Sequence, residues 1–90
     1  MPLSSKQRKE LFGRSHALSP MANVGDEPPS DTVVEHVRSC LESHPLGKIR
    51  VNADDGATCD AIGRELASRV PCEVVKRVGR VLIVYRPPAD

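Results

Sequence analysis

Apolar residues return every three or four positions along "SDTVVEHVRSCLESH", where Val33, Val34, Val37, Cys40 and Leu41 fall on one helical stripe. Asp31 and Glu35 stand near its start, where the helix dipole favours acids, and Pro45 ends it. A second stripe of Cys59, Ile62, Leu66 and Val70 runs through "TCDAIGRELASRV" and stops at Pro71. A thinner one lies in "LSSKQRKELFGRSH". There Leu11 and Ser15 point inward, Ser4 with Gln7 fits a capping box, and Leu3 precedes the cap as a staple residue would.

The remaining segments alternate with period two. In "GKIRVN", Ile49 and Val51 point one way and Lys48 and Arg50 the other, which predicts a half-buried strand. "MANV" predicts a short first strand, "HALSP" a connection before it and "DDG" a turn. In the last segment two β-branched runs, "CEVVKRV" and "VLIVY", flank Gly79-Arg80, a glycine-led two-residue turn of the kind hairpins prefer. Pro87-Pro88 ends the regular structure. The predicted order is therefore α-β-α-β-α-β-β. Helices between strands require crossovers and some parallel pairing, and the hairpin adds an antiparallel pair. The fold class is α/β: one domain over residues 1–90, a two-layer sandwich of helices on a mixed four-stranded sheet.

Composition constrains what such a domain can do. Aromatic residues are 2% of the chain, one Phe and one Tyr, so the core is aliphatic and a surface of stacked bases lacks its usual side chains. Three cysteines without paired spacing fit a reducing compartment, and the polar start "MPLSSKQRKE" does not read as a signal peptide. No apolar run approaches membrane-spanning length, so a cytoplasmic protein without membrane contact is expected. The net charge of +1 hides an asymmetry along the chain. Residues 1–20 carry Lys6, Arg8, Lys9 and Arg14 against Glu10, residues 21–60 carry three cations against eight acids, and residues 61–90 carry six cations against three acids. Basic ends around an acidic middle hint at a polyanionic partner.

Catalytic constellations are missing: there is no nucleophile elbow, phosphate-binding glycine loop, dinucleotide fingerprint or zinc-protease motif. His36 and Cys40 are four apart on one helix, but no second ligand pair accompanies them, so no metal is expected. Asp54 and Asp55 read as a turn, and His16 and His44 as helix-end residues. A non-enzymatic protein without cofactor or small-molecule substrate is expected. What remains is a basic set. Lys48 and Arg50 share one face of a strand, Arg80 sits at a hairpin tip, and the first helix is basic.

Four segments, "LSSKQRKEL", "SHALSPMANVG", "LESHPLGKIRV" and "VGRVLIVYRPP", occur in an order and spacing that resemble the YhbY-type CRM domain, the chloroplast RNA splicing and ribosome maturation module. The most specific pieces are His16-x-Leu18-x-Pro20 running into Gly25, Leu46-x-Lys48-x-Arg50, and Gly79-Arg80 with Tyr85-Arg86-Pro87. The resemblance spans essentially the whole chain. It implies the order read above, a fold similar to the C-terminal domain of translation initiation factor three, and a loop like that of KH domains. It also implies RNA binding, with precursors of the large ribosomal subunit as the partner of the stand-alone bacterial form.

The family places a GxxG loop between its first strand and second helix, where glycine lets backbone approach RNA. Here that loop is Gly25-Asp26-Glu27-Pro28: the first glycine is present, the second is proline and both middle positions are acids. Acids repel phosphate, and Pro28 and Pro29 remove two backbone donors. Ser19 stands where many members carry lysine. RNA contact is therefore expected from Lys6, Arg8, Lys9, Arg14, Lys48, Arg50 and Arg80, with Gly25 secondary, on a monomer. The alternative is a protein-interaction module whose acidic loop docks a basic ribosomal protein, with little direct RNA contact.

Overall fold

The computed structural model describes residues 3–87; Pro88 and Asp90, which the sequence reading used, lie outside them. The elements are α1 (Ser5–Ser15), β1 (Pro20–Val24), α2 (Asp31–Ser43), β2 (Leu46–Val51), α3 (Gly56–Arg69), β3 (Glu73–Val78) and β4 (Val81–Tyr85). The predicted order is observed. The sheet runs β1-β2-β4-β3, with β1 parallel to β2 and the other two pairs antiparallel.

Local chemistry sets the helix ends. Ser4 caps α1 and exchanges both bonds of a capping box with Gln7. Ser30 caps α2 through the Val33 amide. Asp55 caps α3 through the Thr58 amide at 2.8 Å, so the "DDG" turn is also a helix start. Hydrogen bonding to Thr58, first from its side chain and then from its amide, holds the Asp55 carboxyl below its ordinary range. His16 and His44 are the C-caps of α1 and α2. The hairpin turns at Gly79, whose φ is +61° while no other described residue has a positive φ, the type II′ pattern that demands glycine first.

The two faces of the sheet are covered unequally. Ala22, Val24, Ile49, Val51, Leu82 and Val84 meet the apolar stripes of α2 and α3 in the main core. Val34, Val37 and Leu41 of α2 and Cys59, Ile62 and Leu66 of α3 are buried there, while Val33 and Cys40 are only half-buried. α3 lies close because Gly63 faces Leu82, and a methyl at that position would stand 3.1 Å from the leucine's Cδ2. The opposite face carries α1 alone, over a small cluster of Leu11, Val75 and Ile83 edged by Phe12, Leu46 and Tyr85. The sandwich of α2 and α3 on the sheet thus gains a partial third layer.

A bulge in β3 decides what lies on each face. Val74 pairs with Val84, and the next pair is Lys76 with Ile83, so Val75 is one residue too many. Val74 packs against the main core, whereas Val75 joins the α1 cluster and Lys76 lies over the Phe12 ring at 4.4 Å from its centroid. From there on, Val78 follows Lys76 to the α1 face, and Arg77 turns to the other face to meet Asp60 of α3. Arg8 of α1 stitches the bulge: its Nη1 donates to the carbonyls of Val74 at 2.8 Å and Val75 at 3.1 Å. Those bonds also occupy part of an edge strand that would otherwise stay open.

Candidate nucleic-acid interface

Because Ile49 and Val51 enter the main core, Lys48 and Arg50 must stand on the α1 side. Strand register extends this into two rows. Pro20, Lys48, Ile83 and Lys76 lie across the sheet in one, and Asn23, Arg50, Val81 and Val78 in the next. Lys48 and Lys76 are two strands apart, about 10 Å at ordinary strand spacing. α1 covers only part of these rows and leaves an open strip.

The flank of α1 beside that strip carries Lys9, Phe12 and His16, three and seven residues apart and so on one side of the helix. Lys6 is exposed one turn before Lys9. Arg14 lies on the opposite flank, where it lines a shallow recess with Gln7, Glu10 and Tyr85. The structure therefore brings Lys6, Lys9, Lys48 and Arg50 to one side of the sheet and sets Arg14 apart from them. It also adds Lys76, which strict alternation through β3 assigns to the wrong face. The signal that finds Lys76 is the bulge, and the bulge has no mark in the residue types.

Two of the expected basic residues have internal partners. Arg8 holds the bulge carbonyls. Arg80 spans from the hairpin tip to the loop before α3, donating through Nε to the Ala53 carbonyl at 2.8 Å and through Nη2 to the Asp54 carbonyl. Each keeps its charge but not its freedom of orientation. Among the described residues, Lys6, Lys9, Lys48, Arg50 and Lys76 have no hydrogen-bonding or ion-pair partner.

The loop of Gly25, Asp26, Glu27 and Pro28 is exposed at the C-terminal end of β1. Asp26 and Pro28 lie along α3 beside Thr58, Ala61 and Glu65, on the acidic side of the molecule. Its far end is anchored: Arg69 donates to the Pro29 carbonyl at 2.6 Å and pairs with Asp31. Gly25 has no positive φ, and a Cβ there would meet nothing within 4 Å. Neither conformation nor crowding inside the molecule requires glycine at this point.

The thiols and imidazoles give no reactive centre. Burial pushes the Cys72 thiol up to about 11 and raises that of Cys59, so both are protonated apolar side chains. His36 donates to the Met21 carbonyl at 3.1 Å and lies 3.8 Å from the Cys40 sulfur, but no group of three metal-binding side chains occurs among the described residues.

An α/β domain with one helix on a lysine-bearing sheet face and two on the other is the class that fold and site define. The chain belongs to the CRS1 / YhbY (CRM) domain family, whose description matches residues 3–86. It is 29% identical over 88 residues to a Haemophilus influenzae protein named "RNA-binding protein", a match covering 98% of this chain and 89% of the relative. A Bacillus subtilis relative, "Probable RNA-binding protein YqeI", is 23% identical over 93% of this chain and 88% of its own. The solution structure of the hypothetical protein SAV1595 from Staphylococcus aureus superposes with a TM-score of 0.87 at 20% identity, covering 99% of this chain and 93% of that one, and so shares the fold.

Proposed function

We propose that this protein binds structured RNA through the open strip beside α1 and acts in the cytoplasm as an assembly factor on precursors of the large ribosomal subunit. The observation that carries the reading is a set of cations on one face with no hydrogen-bond or ion-pair partner among the described residues: Lys48, Arg50 and Lys76 from the sheet, Lys6 and Lys9 from the helix. Phosphates draw such groups without needing a deep pocket, and lysines that have no internal bond lose none when RNA arrives. The names of the curated relatives support the RNA part of the reading.

The acidic side supports a second role for the same molecule. Asp26, Glu27, Asp31, Glu35 and Glu65 cluster around α2, α3 and the loop between β1 and α2, away from the lysine face. A basic ribosomal protein could rest there while RNA occupies the other face.

The test is sedimentation of tagged protein from lysate at low and high salt, with the Lys48→Ala/Arg50→Ala variant in parallel. Wild type should travel with a large-subunit precursor and be stripped by salt, and the variant should stay at the top. Wild type that stays free at every salt concentration overturns the ribosomal reading. Co-migration unchanged in the variant moves the contact to the acidic side.

A further inference from the structure

The strip contains a small groove. Its floor is Val78, Val81 and Ile83 of the hairpin, its wall is the ring pair Phe12–His16, and Lys48 stands at its rim. The two rings meet edge to face with centroids 4.7 Å apart, and Lys76 lies over Phe12. Val78 is 46% exposed, among the few large apolar side chains left open to water. At about 200 Å³ the groove is too small for a drug-sized ligand but admits a single flat ring system.

We infer that this groove receives one unpaired nucleobase of the bound RNA, its flat face on Val78 and Val81 and its edge against the Phe12–His16 pair. The inference rests on the RNA reading above and deepens it, from phosphate contact to recognition of an unpaired position. Two independent features point to a base. The floor is apolar and the wall is aromatic, which suits a base and not a phosphate or a sugar. Cations surround the groove, with Lys48 at the rim, Lys76 behind the wall and Arg50 in the next row, so the flanking phosphates of an extruded nucleotide find counter-charges on either side. An apolar peptide would meet only the first feature and an acidic peptide only the second.

Scarcity of aromatic residues in the chain argues against base stacking only if their positions are ignored. One of the two aromatic residues is in this groove, and a histidine extends it.

The probe is a pair of RNA hairpins with identical stems, one fully paired and one carrying a single bulged 2-aminopurine. Wild-type protein should bind the bulged hairpin about five-fold or more tightly and should change the 2-aminopurine emission on binding. His16→Ala and Val78→Gln alter exposed side chains and leave the core intact. Both should lose the preference and the emission change while keeping wild-type affinity for the paired hairpin. Phe12→Leu keeps an apolar side chain against the α1 cluster and should behave in the same way. Equal binding of the two hairpins by wild type, with no emission change, overturns the groove assignment and leaves RNA binding standing. A preference retained in all three variants overturns it as well. Binding to neither hairpin removes the RNA reading itself and this inference with it.

Discussion

The two faces of the sheet use most of their cations differently, with Arg8 at the bulge the structural exception on the α1 side. On the α2/α3 side, guanidinium groups hold the molecule together: Arg69 joins α3 to the start of α2, Arg38 pairs with Glu35 and donates to the Arg69 carbonyl, and Arg77 binds Asp60. On the α1 side stand all four lysines of the chain, Lys6, Lys9, Lys48 and Lys76, without a hydrogen-bond or ion-pair partner among the described residues. Arginine's planar fork suits fixed bonds to carboxylates and carbonyls, and lysine's flexible stem suits a moving polyanion. The net charge of +1 therefore averages a partition across the sheet. The division along the chain sequence is only its shadow.

The core is the harshest test of that comparison. Leu66 is fully buried among α3, α2 and the sheet, whereas Leu11 belongs to a cluster of three. Leu66→Ala should cost about 3 kcal/mol or more, and Leu11→Ala nearer 2, by denaturant unfolding. Equal losses would mean that α1 is as integral to the fold as α2 and α3.

The next test separates binding cations from structural ones. Lys48→Ala/Arg50→Ala should weaken RNA binding about ten-fold at low salt and flatten the log–log salt dependence by roughly two units, with stability changed by less than about 0.5 kcal/mol. Arg69→Ala should do the reverse, lowering stability by roughly 1–2 kcal/mol through the lost bond to the Pro29 carbonyl and leaving the salt slope alone. If both variants change the same observable, the partition has no functional meaning.

A smaller effect is expected on the outer surface of α1. Gly13 is helical, with open space around its missing side chain. Gly13→Ala should raise stability by roughly 0.5–1 kcal/mol without altering RNA affinity, measured by thermal melts and titration of the same preparation.

The smallest concerns pH. The folded Asp55 carboxyl titrates below its ordinary value of 3.8, so its cap stabilises the fold above that pH and is lost as pH falls through the lowered value. Asp55→Asn keeps a cap and removes the titration. Its stability profile should be flatter than wild type below about pH 4, where equal slopes would discount the cap.

Much of the fold was legible because local chemistry determines it. The Ser4–Gln7 box, the proline stops and Gly79-Arg80 each act within a few residues, and the element order follows from them. The position of α1 was not legible. Its stripe predicts an inward side, but no period says which face of the sheet it covers. The partners of Arg8 and Arg80 were hidden for a different reason. They are backbone carbonyls 66 and 27 positions away, and carbonyls look alike in every sequence. Lys48 and Arg50 were found by simple alternation. Lys76 was missed because alternation fails at Val75.

That extra residue works as a parity bit. Everything in β3 after Val75 is assigned to a face by whether the count of residues is odd or even. Drawing Val75 into the ladder opposite Ile83 would slip the strand by one place and exchange Lys76 and Arg77: the arginine would leave Asp60 for the α1 face, and the lysine would turn towards α3. A slip of one place would thus rewrite the charge of both faces without altering the net charge. Within this strand a slip of one place is a functional substitution at several positions at once, and Arg8, bonded to the two carbonyls at the bulge, is the clasp that keeps the register.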